Sequence, residues 1–419
     1  MTGTVHIVGA GLAGLSTALH ALKLGHGVRV YEGAPQAGGR CRTYFDSRLG
    51  RNIDNGNHLV LTGNRSVAEY LELAGAPGAL VAAAAADFPF VDIESGERWR
   101  VRINDGPIPW WALDHARRPK GVRLTDMLRA GGILLAGPHD TIASYCTRNP
   151  VMRERFWEPM AMAVINLPPE EASARLMRAT ALEAWRDGRL ARPMFAPRGL
   201  GPALIDPALK ALEEAGCPVE YGRLLRRVEK EAGRATRLVF ARGEPVQIAQ
   251  EDAVVLALPA HRLAAIMPES GAPTETSPIL NAHFLIDDPA LLEGAPPILG
   301  VTRAVTQWIF IKGDIVSLTI SAADHVDGSD AEEEALLRRL WDETRRALAL
   351  PEAATYLSAR LVREKRATFR QTPQNVARRP RQETSLRNLA LAGDFVDTGL
   401  PATIEGAVRS GERAARLVC

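Results

Sequence analysis

The sequence predicts an α/β protein. A Rossmann-like domain, with a parallel sheet and flanking helices, is assembled from discontinuous segments, and an α+β domain is inserted between them. Three observations predict this. The chain opens on a short apolar run, a glycine-rich turn and an apolar helical run, the beginning of a βαβ unit. Buried-strand patterns recur at 253–258 and 389–393. The stretches between them read differently: mostly helical over 65–190, with Pro-rich interruptions near 107–119, then alternating strand-like segments over 275–325. The nucleotide-binding domain is therefore expected from 1–64, 190–262 and 380–419, and the second domain from 65–189 and 263–379.

Taken in order, Val5 to Val8 form the first strand, and Gly9 permits the tight turn out of it. Gly11 lacks a Cβ, so the backbone can approach a pyrophosphate closely. Gly14 lets the following helix pack against the strand. That helix, over 12–24, begins at Leu12 and Ala13, where unpaired N–H groups and a partial positive charge suit a phosphate. Gly25 and Gly27 end it, and 28–31 form the second strand. Glu32 can accept from a ribose 2′-OH and would repel a 2′-phosphate, which argues against NADP. Gly38-Gly39-Arg40 adds a second close turn and an arginine that can reach a pyrophosphate. An NAD site needs no such loop, so the expected cofactor is FAD.

Further along, the Ala run at 82–86 reads as a helix end or loop, and 193–207 as a loop with a helix start. Strands are expected at 219–221, 224–230, 237–241, 246–248, 253–258, 307–311 and 315–320, with helices over 331–350 and 403–418.

Composition bounds the function. The chain has 419 residues, enough for two domains, and its 46% hydrophobic and 24% charged residues are ordinary for a globular protein. A net charge of +2 gives no reason to expect nucleic acid. Cys41, Cys146, Cys217 and Cys419 are scattered, as in a cytoplasmic protein with free thiols, neither disulfide-bonded nor metal-binding. No basic leader and no uninterrupted apolar run of membrane-spanning length occurs, so any membrane contact would be peripheral, at the inner membrane. The basic segment 115–120 beside the apolar stretch 127–137 reads either as a face for an anionic bilayer or as a solvated loop beside a core helix.

The N-terminal fingerprint with Gly38-Gly39-Arg40, together with Ala392-Gly393-Asp394 and Ile404-Glu405-Gly406-Ala407, resembles the amine oxidase/phytoene desaturase superfamily of flavoproteins. The resemblance implies that Gly393 and Asp394 meet the phosphate or ribityl region of FAD. It also implies that the backbone at Thr403 and Ile404 points a helix N-terminus at the flavin, and that the backbone at Val228 holds the adenine. Six stretches resemble a narrower, squalene-associated branch: Asn52 to His58, Phe156 to Pro159, Asn166, Ala172 to Ala174, Glu364 to Thr368 and Thr398 to Gly406. That branch implies reductive removal of the allylic hydroxyl of hydroxysqualene to give squalene, in bacterial hopanoid biosynthesis. Hydride would pass from N5 of reduced flavin to an allylic cation.

Departures from the superfamily pattern also inform. Thr403 and Ile404 stand where amine oxidases often carry an aromatic cage residue, so no amine cage is expected. No cysteine lies in the C-terminal flavin segment, so FAD is expected to be non-covalent, and Gln36 replaces an outer phosphate-binding arginine. The implied partners are a hydrophobic triterpene substrate, a separate electron donor (there is no second dinucleotide fingerprint) and a candidate membrane surface. Asp54 and His58 are the candidate catalytic residues. They either supply the proton to the leaving oxygen or hold the loop after Gly-Gly-Arg. Glu158 and Asn166 are weaker candidates for that acid. Lys365 and Arg366 read as a solvated basic face or as a site for one end of the substrate. Trp110, Trp111, Phe156, Trp157, Met160 and Met162 read as tunnel lining or as ordinary core. Two other functions stay open: a phytoene-type desaturase working in the oxidative direction, and a protein in which FAD is structural.

Overall fold

The computed structural model describes residues 3–146, 149–326 and 332–419. Five parallel strands form one sheet, in the order Val219–Glu220, Gly27–Tyr31, Thr4–Val8, Ala253–Leu256, Leu389–Leu391. The central strands are apolar at nearly every position because helices cover the sheet, as in parallel sheets generally. Three separate parts of the chain thus meet in one sheet.

The first helix, Leu12–Lys23, packs along the last, Ile404–Val418. They touch at backbone distance: a Cβ on Gly411 would lie 2.2 Å from the Ala13 carbonyl oxygen. Ser16 and Thr17 donate to the carbonyls of Val408 (2.8 Å) and Gly411 (3.2 Å), so small residues on both helices lock the chain ends together.

A seven-stranded sheet forms the second domain, in the order Tyr356–Phe369, Thr276–Ile286, Ile315–Ser321, Trp308–Lys312, Ile298–Thr302, Ala86–Asp92, Arg98–Ile103. All neighbours are antiparallel except Ile298–Thr302 with Ala86–Asp92. Side chains alternate between its faces. Leu280, Ala282, Phe284 and Ile286 face the helix Glu333–Leu348 and bury against Leu337, Leu340 and Trp341. The intervening positions on these strands include Asn281, His283, Ser317 and Thr319, which make a buried polar face on the other side.

One expectation needs correction. The region 65–190 is not helical throughout: after the helix Arg65–Leu73, Ala86–Asp92 and Arg98–Ile103 form a hairpin at the sheet edge. Its second strand alternates exposed arginines with buried Trp99, Val101 and Ile103, and Arg100 and Arg102 both pair with Asp87 (2.9 and 3.0 Å). The expected helix over 331–350 spans Glu333–Leu348, and Ala331 lies outside the described residues. No helix among the described residues is long and apolar enough to cross a membrane.

Candidate cofactor and active site

The glycine turn is sterically determined. Gly9 has φ +112°, and a Cβ there would lie 2.3 Å from the Ala257 carbonyl oxygen. A Cβ on Gly14 would lie 1.8 Å from the Gly9 carbonyl oxygen. At Gly11 the opposite holds: a Cβ would meet nothing within 4 Å, so its side faces open space. Gly11 begins the first helix without a side-chain cap, leaving the N–H groups at Leu12 and Ala13 available.

The second glycine loop closes on the first. The Gly38 N–H donates to the Ala10 carbonyl (2.8 Å), and the atom nearest a Cβ on Gly39 would be Gly11 Cα, at 3.8 Å. Two glycine loops and a helix N-terminus therefore bound one open cradle, which fits a pyrophosphate. Glu32 accepts from the N–H groups of Ala10 and Ala34, each at 2.8 Å, so it is held in place where the cradle begins.

Arg40 carries the cradle to the other end of the chain. Its guanidinium donates to both Asp394 carboxylate oxygens (2.8 and 2.7 Å) and to the Ala367 carbonyl (2.5 Å). Arg40 is only partly buried, with 37% of its side-chain surface accessible. Gly393 has φ +147°, and its N–H donates to Ser410 Oγ (2.8 Å) on the last helix. Thr403 caps that helix, accepting from the Gly406 N–H (3.2 Å), and Ile404 behind it is buried. Val228 pairs with Leu238 on a separate antiparallel sheet. The strand holding Val228 starts just after Arg223, whose N–H donates to the Glu32 carbonyl (2.8 Å). Hydrogen bonds thus link Glu32, the two glycine loops and Ala10, and Arg40 ties the second loop to Asp394, while Val228 lies on the strand that follows Arg223.

The segment after Gly-Gly-Arg is clamped to the polar face of the seven-stranded sheet. Arg360 pairs with Asp46 (3.3 Å), Lys312 with Asp54 (2.6 Å), and Asn55 donates to Glu364 (3.3 Å). Asn57 donates to Thr319 Oγ1 (3.1 Å), which in turn donates to Asn281 (3.0 Å). Asn166, in the left-handed region at φ 57°, uses its amide on Ser277, Thr368 and Ala322. Its side chain holds a junction and faces no open space. Glu158, Lys365 and Arg366 are exposed.

Asp54 also accepts from Thr43 Oγ1 (2.5 Å) and the Leu200 N–H (2.8 Å). Burial pushes its pKa up, but Lys312 and these hydrogen bonds outweigh burial and hold it below the usual carboxylate value. Asp54 is an ionised anchor in this arrangement. His58 sits within electrostatic reach of Arg40 and Asp394, and keeps some accessible surface despite being enclosed. Burial, reinforced by Arg40, pushes its pKa down to about 4, so the imidazole is neutral at pH 7. A neutral imidazole can donate a hydrogen bond to a leaving oxygen, whereas proton transfer from imidazolium needs acid conditions.

Lys312→Met is expected to destabilise the protein by about 2 kcal/mol, less than a fully buried broken pair costs because Lys312 keeps solvent contact. Urea denaturation of the flavin-loaded protein checks this. An unchanged midpoint would show that the pair does not hold the loop.

Next to this region lies an aromatic cluster. Phe156 and Trp157 sit on a π-helical turn, Arg153–Trp157, and Trp185 on another, Ala181–Trp185. Phe156 packs edge-on against Trp157 (5.1 Å) and Trp185 (5.8 Å). Both belong to an apolar core shared with Trp111, Met152, Phe369 and Phe395, and Met160 packs against it. Trp110 departs from the expected lining and is 43% exposed, and Met162 is half-buried.

Two buried charged residues that brace these loops were given no role by the sequence reading. Arg379 has no exposed side-chain surface and donates to the carbonyls of Asp394, Phe395, Val396 and Leu400. Glu405, inside the last motif, caps the helix Arg65–Leu73 through the N–H groups of Ser66 (3.1 Å) and Val67 (3.0 Å). Only the glycine before the proline-bounded loop (Gly393) and the motif itself marked these regions in sequence. Among the described residues, His20, Glu69 and Glu412 come together with metal-like spacing, but Lys23 and Arg416 pair with the two carboxylates, each at 2.7 Å.

The model of flavin-containing amine oxidoreductases matches residues 12–419 of this chain. The chain belongs to that family. It is an FAD-dependent oxidoreductase. The hydroxysqualene dehydroxylase of Sinorhizobium fredii is 40% identical over 418 residues, covering 100% of this chain and 98% of that protein. The hydroxysqualene dehydroxylase of Rhodopseudomonas palustris is 39% identical, covering 100% and 99%. Among solved structures, an oxidoreductase from Methanosarcina mazei superposes with a TM-score of 0.74 at 14% identity, over 99% of this chain and 100% of that one, which shows a shared fold.

Proposed function

We propose that this protein reductively removes the hydroxyl of hydroxysqualene to form squalene. The observation that carries the reading is identity of about two-fifths to hydroxysqualene dehydroxylases over the whole of this chain. The allylic C–O bond breaks, and bound, reduced, non-covalent FAD would supply overall both the hydride that completes the carbon and the proton that leaves with the hydroxyl as water, becoming oxidised FAD. The chain's own residues do the rest. The glycine loops, Arg40 and Asp394 hold the cofactor between the chain ends. Asp54 and Lys312 fix the loop that carries His58, and neutral His58 offers a hydrogen bond toward the departing oxygen. The core containing Phe156, Trp157 and Phe369 excludes water, and aromatic faces near a developing allylic cation stabilise it.

Two further elements complete the proposal. A separate donor reduces the flavin, since one dinucleotide fingerprint serves FAD. The protein meets its water-insoluble triterpene at a membrane surface, peripherally. The test is a single turnover: anaerobic, dithionite-reduced, FAD-loaded protein is mixed with detergent-dispersed hydroxysqualene, and the lipid extract is analysed for squalene. About one squalene per flavin is expected, with reoxidation of the flavin. Reduced flavin that persists with no squalene formed overturns the reading, and a newly desaturated product formed by oxidised protein would favour the desaturase direction.

A further inference from the structure

Seven of the fourteen exposed large apolar side chains among the described residues lie between 108 and 135. They include Ile108 (72% exposed), Leu113 (59%), Leu128 (65%) and Leu135 (84%). The turn Trp110–Ala112 packs on the helix Leu124–Ala130, which runs directly into the turn Gly131–Leu135, so these side chains share one region. The helix is apolar on both sides. Met127, Ala130 and Ile133 point inward to the core that contains Phe156 and Trp157. Leu124 and Leu128, one turn apart, point outward and are followed by Leu134 and Leu135. Soluble surfaces rarely gather apolar side chains in this way without a partner.

Charge identifies the partner. Residues 108–139 contain Arg117, Arg118, Lys120, Arg123 and Arg129 against only Asp114 and Asp126. Asp126 is buried, accepting from the Arg123 N–H (3.3 Å) and from Asn149 (2.6 Å), so it presents no charge outward. Arg118, Arg123 and Arg129 form no ion pair among the described residues, and Arg117 lies over the Trp110 ring at 4.4 Å. Every exposed side chain from 123 to 135 is apolar or basic except Thr125. A second copy of this chain would bring the same basic rim against itself and be repelled. An anionic lipid surface complements both the leucines and the arginines.

We propose that the outer face of 108–135 is a monotopic docking surface for an anionic bilayer, with the core that contains Phe156 and Trp157 directly behind it. The inference rests on the proposed reaction only for the lipid that would enter. The experiment is flotation of FAD-loaded protein with vesicles of phosphatidylcholine alone or of phosphatidylcholine and phosphatidylglycerol at three to one. Binding about tenfold or more stronger to the anionic vesicles, weakened by salt, is expected. The double variant Leu128→Glu/Leu135→Glu should lose that binding while keeping its melting temperature, and Leu357→Glu, 64% exposed on the far edge strand, should not. Failure to float at low salt, or flotation of the double variant equal to the parent, overturns the proposal. So does a vesicle-free dimer, seen by light scattering, that the same double substitution disperses. Squalene formed in detergent by protein that ignores vesicles defeats the surface alone. Vesicle binding without squalene defeats the reaction alone.

Discussion

Arg379→Met is expected to weaken folding by about 4 kcal/mol and to release FAD, because four buried carbonyls lose their donor at once and each unsatisfied group costs about 1–3 kcal/mol before water relaxes part of it. The loop 394–400 has no regular structure and is largely buried, so its carbonyls have to find partners elsewhere. Arg379 supplies them from one planar group, at 3.1 Å to Phe395, 2.6 Å to Leu400 and 2.9 Å to Asp394, and to Val396. Burial pushes its pKa down to about 10, opposed by Asp397 and Asp394, so it stays charged at neutral pH. Arg379→Lys should recover only part of the loss, since an ammonium has three donors and no fork. The flavin-to-protein absorbance ratio and the urea midpoint read the result. A Met variant with normal flavin content and midpoint would show that the loop holds itself.

Gly411→Ala carries the second largest expectation, a loss of about 3 kcal/mol from overpacking with a rise in FAD dissociation constant of about tenfold. The added Cβ would lie 2.2 Å from the Ala13 carbonyl oxygen, 2.8 Å from Ser16 Cβ and 2.9 Å from the Thr17 nitrogen. Two of these neighbours are backbone of the helix whose N-terminus bounds the phosphate cradle, so the clash cannot be absorbed by a side-chain rotation. The helices must part, and the cradle shifts with them. Gly131→Ala is the control: its backbone is already helical at φ −57°, a Cβ there meets nothing within 4 Å, and stability should hold or rise slightly. Fluorescence titration with FAD separates the two. Equal affinity in Gly411→Ala and the parent would refute the argument.

Much of the fold and of the cofactor cradle was legible in the chain. Gly9, Gly14 and Gly38 advertise themselves because local backbone conformation and close approach exclude other residues, and such demands leave a mark at fixed spacing. The apolar strand at 253–256 was equally plain. The hairpin at 86–103 was missed although its second strand alternates cleanly, because the surrounding helical and Pro-rich segments masked a period that lasts only six residues. Arg379 was invisible for a different reason. An arginine beside another arginine and a proline reads as a surface residue, and only the converging carbonyls turn it into a core donor.

The segment 52–58 shows the division most clearly. Sequence marked it as special and placed it after the second glycine loop, near the flavin. It could not choose between chemistry and scaffolding for Asp54, because the deciding partner, Lys312, lies 258 residues away. Local sequence determined the cofactor class, the glycine geometry and the strands of the first sheet, since each depends on backbone sterics and short-range periodicity. Tertiary structure decided the charge state of Asp54 and His58, the role of Arg379, the helix contact at Gly411 and the outward-facing leucines, since burial, pairing and exposure exist only once distant segments have met.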